Sequence, residues 1–294
     1  MKVKILADST CDLSDELLIK YDIRQIPLSI IKGEQTFRDR LEITPSDIFE
    51  HVSSGKGICF TSAINVAEYL EVFREEQAKG FDALINFTIS NELSACYVNS
   101  VIAAKELSDQ GIDMEIYSVD TRSLSTGGGW LVLYAADLVA QGMEAREVAQ
   151  ACEKKKLLGD TSFVIDTLDY LHKGGRCSGL AAFGASLLNL KPCLNLIDGK
   201  IEVGKKYHGS IKKSLQKYIE DRIGRREDLD LRRAFVTHTF YDDPAFVEEI
   251  VDLVMNMQPF EEVITTSAGC TIANHCGPGT LGVLVYKDAE RIGV

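Results

Sequence analysis

The sequence predicts an α/β fold in two parts. Residues 1–159 form an N-terminal α/β domain with a mainly parallel sheet flanked by helices, and residues 160–294 form a C-terminal α/β domain with a mixed sheet. Three observations carry this reading. Short apolar runs alternate with helical periods through the first half, as strands joined by crossover helices do. In the second half Asp198-Gly199 sits between two extended runs, a hairpin signal that implies antiparallel pairing. The chain has 294 residues, room for two cores at roughly 150 residues per domain.

Taken in order, residues 3–7 are an apolar run closing on Asp8-Ser9-Thr10, and residues 23–31 alternate enough to be extended. Thr44-Pro45-Ser46-Asp47 opens a helix, with a hydroxyl cap, proline at the first helical position and an acid at the third. Asn65 with Glu68 makes a second such start, and Gly80 stops that helix. Residues 83–87 read as strand, 94–107 as helix closed by Gly111, and 114–119 as strand. A glycine-rich stretch precedes a helix over 130–140, and a charged helix over 147–155 leads to Gly159-Asp160, the expected boundary. Beyond it, 163–165 is strand, and two short helical stretches flank Lys173-Gly174-Gly175-Arg176. Residues 190–197 and 200–203 form the hairpin; 211–223 and 245–257 are helices, the second opened by Asp243-Pro244. Residues 233–237, 262–266 and 281–286 are strands.

Charge narrows the function classes. With 44 acidic against 32 basic side chains the net charge is −12, which argues against nucleic acid and anionic membrane surfaces as partners. No apolar run approaches the roughly 18 residues of a membrane span; the nearest, 130–140, is short and contains Asp137. The first residues turn polar too early for a signal peptide, so a cytoplasmic location is expected. Eight cysteines include no Cys-x-x-Cys pair, and adjacent His275 and Cys276 suit one tetrahedral ion poorly even with Cys270 nearby. No metal site is expected; most cysteines read as small buried apolar residues.

Hydroxyls gather at the strand-to-helix junctions: Asp8-Ser9-Thr10, then residues 88–94 with Ser90, Asn91 and Ser94, then residues 120–125 with Ser123. Thr61-Ser62, just before the Asn65 helix, is a fourth. In a parallel sheet such junctions share the carboxyl edge where ligands bind, and helix N-termini there supply free amides. The pattern points to a cleft that holds an anion with neutral donors. A second constellation, residues 274–279, places His275 in a turn fixed by Gly277-Pro278-Gly279 ahead of the last strand. His238 and His172 read as structural or surface residues. Lys173-Gly174-Gly175-Arg176 lacks P-loop spacing and reads as a helix-ending turn with solvated charges; Gly127-Gly128-Gly129 lacks the dinucleotide-binding pattern.

Four segments in this order resemble the DegV family of bacterial lipid-binding proteins: residues 5–12 (ILADSTCD), 163–176 (FVIDTLDYLHKGGR), 187–192 (LLNLKP) with Asp198-Gly199-Lys200, and 275–282 (HCGPGTLG). The resemblance spans nearly the whole chain. It implies a long-chain fatty acid held between the two domains, its carboxylate bound by Thr61, Ser94 and His275 with Ser62 nearby. Ser90, Asn91, Ser123 and Gly277 are expected in support, with no catalytic residue and no cofactor besides the lipid. Members of the FakB type present the acyl carboxylate to a fatty acid kinase, which makes such a kinase the implied protein partner. Kinase-coupled members carry an arginine where this chain has His208. Two other classes compete with a carrier. Ser94 as nucleophile with His275 as base would make a serine-dependent acyl hydrolase or transferase, although no Gly-x-Ser-x-Gly elbow is present. A lipid-sensing regulatory module would use the same pocket to control a partner.

Overall fold

The apolar runs of the first half pair in parallel. Strands β1 (Val3–Asp8), β2 (Ile23–Ile26), β6 (Ala83–Thr88) and β7 (Glu115–Asp120) form a four-stranded sheet in the order β2-β1-β6-β7. The computed structural model describes residues 1–177, 190–240 and 242–293. Because side chains alternate across a strand, β1 sends Leu6 to one face and Ile5 and Ala7 to the other. Leu6 joins Leu84 and the helices α3 (Val66–Ala78) and α4 (Cys96–Asp109) through Phe73 and Leu107. Ile5 and Ala7 meet Trp130 and Leu131 of α5 (Thr126–Ala140) and Val148 of α6 (Ala145–Lys155). Helices thus cover both faces, as an all-parallel sheet requires.

The extended run at 23–31 is two strands in two sheets. Pro27 interrupts it: β2 stays in the parallel sheet, while β3 (Ser29–Lys32) lies between β4 (Gln35–Arg38) and β5 (Phe60–Ser62) in a small antiparallel sheet. Proline offers no N–H to continue a ladder. The two capped helices start where the sequence places them. Thr44 opens α2 (Pro45–Ser53) and Asn65 opens α3, each with its own amide donating back to the acid three residues on. α5 begins four residues before the expected start, because Gly127-Gly128-Gly129 lie inside its first turns. They are glycines for close packing: a Cβ would come 2.2 Å from Thr161 Oγ1 at Gly127 and 2.6 Å from the Cys11 carbonyl at Gly129. A short helix, α1 (Asp15–Lys20), connects β1 to β2.

The second half builds a six-stranded mixed sheet that starts at Gly159. Its strands are β8 (Gly159–Val164), β9 (Leu190–Ile197), β10 (Lys200–His208), β11 (Ala234–His238), β12 (Val263–Ser267) and β13 (Leu281–Tyr286), in the order β10-β9-β8-β13-β11-β12. β11 and β12 are parallel and the other pairs antiparallel. The hairpin turn has Asp198 at φ 51° and Gly199 at φ 81°, the doubly left-handed turn that matches strand twist. α8 (Ile211–Ile223) and α9 (Pro244–Met257) pack on one face through Leu215, Ile219, Phe246 and Ile250. α7 (Asp169–Gly174), α10 (Cys270–Cys276) and a C-terminal turn of helix, α11 (Ala289–Ile292), complete the described elements. The second helical stretch expected after Arg176 lies outside the described residues. No helix among the described residues is long and apolar enough to cross a membrane.

The two large sheets share a core. Phe163 of β8, Leu194 of β9 and Ile272 of α10 belong to one apolar cluster with Leu6, Leu28 and Ile89 of the first half.

Candidate functional site

Two distant segments meet in that shared core. β5 pairs with β3, Ile30 opposite Thr61, which fixes Thr61 on the small antiparallel sheet and not at the edge of the parallel one. α10 brings His275. The sequence suggested a loop for this residue, but it occupies the last turn of a helix that ends at Gly277, φ 77°. Two buried carboxylates from the first half hold the start of α10. Asp39 accepts from the amides of Cys270 at 2.9 Å and Thr271 at 3.2 Å and from the Thr271 hydroxyl at 2.6 Å; Asp12 accepts from the Gly269 amide at 2.7 Å. Carboxyl oxygens at a helix N-terminus satisfy its orphan donors.

His275 Nε2 lies 3.0 Å from Thr61 Oγ1. The ring is partly covered, and its Nδ1 is buried without a hydrogen-bond partner among the described residues. Burial, with the Arg176 charge adding to it, pushes the imidazole down to about 4, so it is neutral at pH 7. The ring fits because residue 174 is glycine: a Cβ there would stand 2.4 Å from Nδ1.

Thr61, Ser94, His275 and Arg176 line one cavity that is open to solvent on one side. The rest of its wall is mostly apolar, including Leu28, Ile89, Leu93, Leu124, Leu171 and Ile201. That lining, with few polar groups, suits a ligand that is largely hydrocarbon. Ser94 sits just before α4, and its hydroxyl donates to Cys96 Sγ at 3.3 Å, not to His275. No nucleophile–base pair is therefore formed between Ser94 and His275 in this arrangement.

Arg176 is the residue that sequence reasoning missed, since the turn around it read as solvated. Arg176 is exposed, yet it lines the cavity and so marks the opening; one guanidinium nitrogen donates to the Gly174 carbonyl at 2.7 Å. The site accordingly has a cation beside its neutral donors. The available signal was the glycine pair before it: Gly174 admits the histidine and Gly175, at φ 68°, turns the chain.

The remaining sequence-selected residues do not line the cavity. Ser62 is exposed, its hydroxyl 3.5 Å from the Ala63 carbonyl. Ser90 is buried and donates to the Gly199 carbonyl at 2.7 Å, tying its junction to the hairpin. The exposed Asn91 donates its amide to Asp120 at 3.2 Å, and Ser123 Oγ lies 3.0 Å from Thr161 Oγ1. The Gly277 carbonyl accepts from Thr239 at 2.9 Å. These residues brace the junctions around the cavity. His238 accepts the Phe240 amide at 3.1 Å through Nδ1, and His172 is exposed, each in the ordinary role its sequence context suggested. Among the described residues no three His, Cys, Asp or Glu side chains are grouped to hold a metal ion.

Two α/β sheets with an apolar cavity in their common core, opening past a histidine, a threonine and an arginine, define a two-part ligand-binding architecture. The chain belongs to the DegV family: residues 2–288 match the family model, described as "Uncharacterised protein, DegV family". A DegV domain-containing protein of Caldanaerobacter subterraneus is 30% identical over 282 residues, covering 96% of this chain and 98% of that one. A Thermotoga maritima protein named fatty acid-binding protein is 28% identical, with 96% of each chain covered. The solved structure of a Thermus thermophilus DegV family protein, described by its fatty acid binding, aligns with TM-score 0.86 at 30% identity, covering 98% of this chain and 100% of that one.

Proposed function

We propose that this protein binds one long-chain fatty acid in the cavity, with its carboxylate against Thr61, Ser94, His275 and Arg176. The observation that carries the reading is the contact between Thr61 and His275 within a mostly apolar cavity whose rim includes Arg176. Relatives named for fatty acid binding support it. Hydrocarbon burial contributes about 0.8 kcal/mol per methylene before ordering and association costs, so the tail supplies most of the affinity. The carboxylate then needs donors that offset its desolvation, and a neutral imidazole, two hydroxyls and a guanidinium provide them.

In this reading the protein is a cytoplasmic carrier, divided at Gly159 into two domains that each supply one wall. The fatty acid is its ligand, and a fatty acid kinase with a basic docking face is its protein partner. Ser94 binds and does not attack. Extraction of the purified protein into organic solvent and mass spectrometry should detect a fatty acid, and delipidated protein should bind palmitate or oleate. Finding neither would refute the proposal.

A further inference from the structure

The six-stranded sheet has two edges, and the chain treats them differently. β10 carries three exposed lysines, Lys200, Lys205 and Lys206, and its register with β9 shifts between Val203 and Lys206. Lysines and a bulge keep an edge from pairing with another chain. β12, at the opposite edge, reads Val263-Ile264-Thr265-Thr266-Ser267, with no charge and no proline, and its register with β11 is unbroken. It is a regular, mostly β-branched strand without such a guard.

The ladder with β11 decides which backbone groups of β12 are free. The Glu262 carbonyl accepts from the Ala234 amide, and the Ala268 amide donates to the His238 carbonyl, both at 2.9 Å. Even-numbered residues thus point their backbone groups at β11. Because these groups alternate along a strand, the amides and carbonyls of Val263, Thr265 and Ser267 face outward. Among the described residues no further strand takes them up.

A groove runs beside this edge. Thr265 and Ser267 line it from β12 and His238 from β11. Helix α9 lines it through Val247, Val251, Glu248 and Asp252, and Phe240 and Pro244, where the chain enters α9, complete it. Glu248 and Asp252 are exposed, one helical turn apart, and neither has an ion-pair partner among the described residues. None of these residues lines the cavity that holds His275, so docking here is separate from fatty acid binding.

Two unpaired carboxylates and an apolar wall beside an open ladder fit an extended, basic segment. Residues four apart on a helix lie about 6 Å apart along its axis. Alternate residues of a strand lie about 6.6 Å apart. A strand added to β12 therefore presents side chains i and i+2 to Glu248 and Asp252 together. We propose that β12 and α9 form a docking site for an extended segment of a partner protein with Lys or Arg at alternate positions, which adds a further strand to the sheet. Backbone bonds to Val263, Thr265 and Ser267 hold the segment, and the two carboxylates select its basic side chains.

The probe is the fluorescent peptide acetyl-Val-Thr-Lys-Thr-Lys-Thr-amide, compared with the same peptide carrying Glu for both Lys. Wild type should bind the basic peptide with a Kd below about 1 mM at low salt, and the acidic one at least about tenfold more weakly. Glu248→Lys combined with Asp252→Lys should reverse that preference. Of two basic peptides N-methylated on opposite sets of alternate amides, one should lose binding and the other keep it, because only one set faces β12. On saturation with the basic peptide, hydrogen exchange of the Thr265 and Ser267 amides should slow, while Thr266, already paired with β11, stays as it was. Equal binding of the basic and acidic peptides, no binding up to about 1 mM, or unchanged exchange at Thr265 and Ser267 would overturn this docking site. So would protection of these amides that rises with protein concentration in the absence of peptide, since the edge would then belong to a second copy of this chain.

Discussion

Thr61 Oγ1 and His275 Nε2 stand 3.0 Å apart although 214 residues separate them in the chain. One comes from an edge strand of the small antiparallel sheet and the other from the last turn of a helix anchored by Asp12 and Asp39. Thr61→Val keeps the shape and removes the hydroxyl. The proposed carboxylate loses one donor, so palmitate affinity should fall about 10- to 150-fold, the loss expected for one charge-assisted hydrogen bond. Titration of delipidated protein checks this, and an unchanged Kd would remove Thr61 from the head-group site.

Arg176 offers a test of the site's charge. Arg176→Gln should weaken fatty acid binding by about tenfold at low salt, with a smaller deficit at high salt, because Arg176 is an exposed residue whose charge salt screens. Arg176→Lys should restore part of the loss. Kd values for a fatty acid at two salt concentrations give the answer, and a deficit that does not depend on salt would assign Arg176 a packing role.

Much of the fold was legible because its signals are local. The reciprocal caps at Thr44 and Asn65 lie within four residues, and Asp198-Gly199 specifies its turn alone. What was not legible depends on partners far along the chain. The segment with His275 read as a loop because no residue beside it caps a helix, while the carboxylates that do are Asp12 and Asp39. Hydroxyl-rich junctions marked the right neighbourhood, yet a serine that lines a cavity and one that braces a turn look alike in sequence. Ser94 and Ser90 are four residues apart and take these two roles. Arg176 was hidden for the opposite reason: an exposed arginine after two glycines is ordinary unless the histidine it approaches is known.

The two glycines before Arg176 should differ in what they tolerate. Gly174→Ala places a methyl 2.4 Å from His275 Nδ1, so the ring must move. A loss of about 1–3 kcal/mol in stability is expected from the overpacking, together with weaker fatty acid binding. At Gly175 nothing among the described residues stands within 4 Å of a Cβ, and the substitution meets the cost of a left-handed conformation, φ 68°. Gly175→Ala should lose about 1 kcal/mol and keep its affinity. Urea melts and palmitate titrations of the pair separate the cases; equal effects on binding would deny Gly174 its part in seating the histidine.

Acid should destabilise the ligand-free protein through His275. Its folded pKa, about 4, lies below the ordinary value of 6.5, so between these limits the unfolded chain binds more protons and stability falls as pH falls. Asp8 and Asp12 act in the other direction: burial raises them to about 6 and about 7, so their contribution is lost as pH rises through those values. The histidine is isolated by comparing wild type with His275→Gln. On going from pH 7 to pH 5 the wild type should lose about 2 kcal/mol more than the variant. Parallel pH dependence of the two urea midpoints would show that the ring titrates normally.

Asp39 should matter more than any group inside the cavity, although it does not line it. Its buried carboxylate accepts from four donors: the Ser9 hydroxyl at 2.9 Å, the amides of Cys270 and Thr271, and the Thr271 hydroxyl. Those bonds couple the first sheet's junction to α10, and α10 carries His275 as well as Ile272 and Cys276. Asp39→Ala leaves two amides and two hydroxyls without this acceptor, each a desolvation penalty that water reaches poorly, so a loss of about 3–5 kcal/mol is expected. Asp39→Asn keeps the shape and one acceptor oxygen but turns two donors toward groups that are themselves donors, so it should lose less stability while loosening α10. Hydrogen exchange separates this local effect from global unfolding: in Asp39→Asn the amides of residues 270–276 should exchange faster relative to those of β6, which stays buried in the parallel sheet. Fatty acid affinity should fall with that protection. Unchanged exchange at α10 together with reduced binding would mean that Asp39 acts on the cavity by some route other than holding this helix.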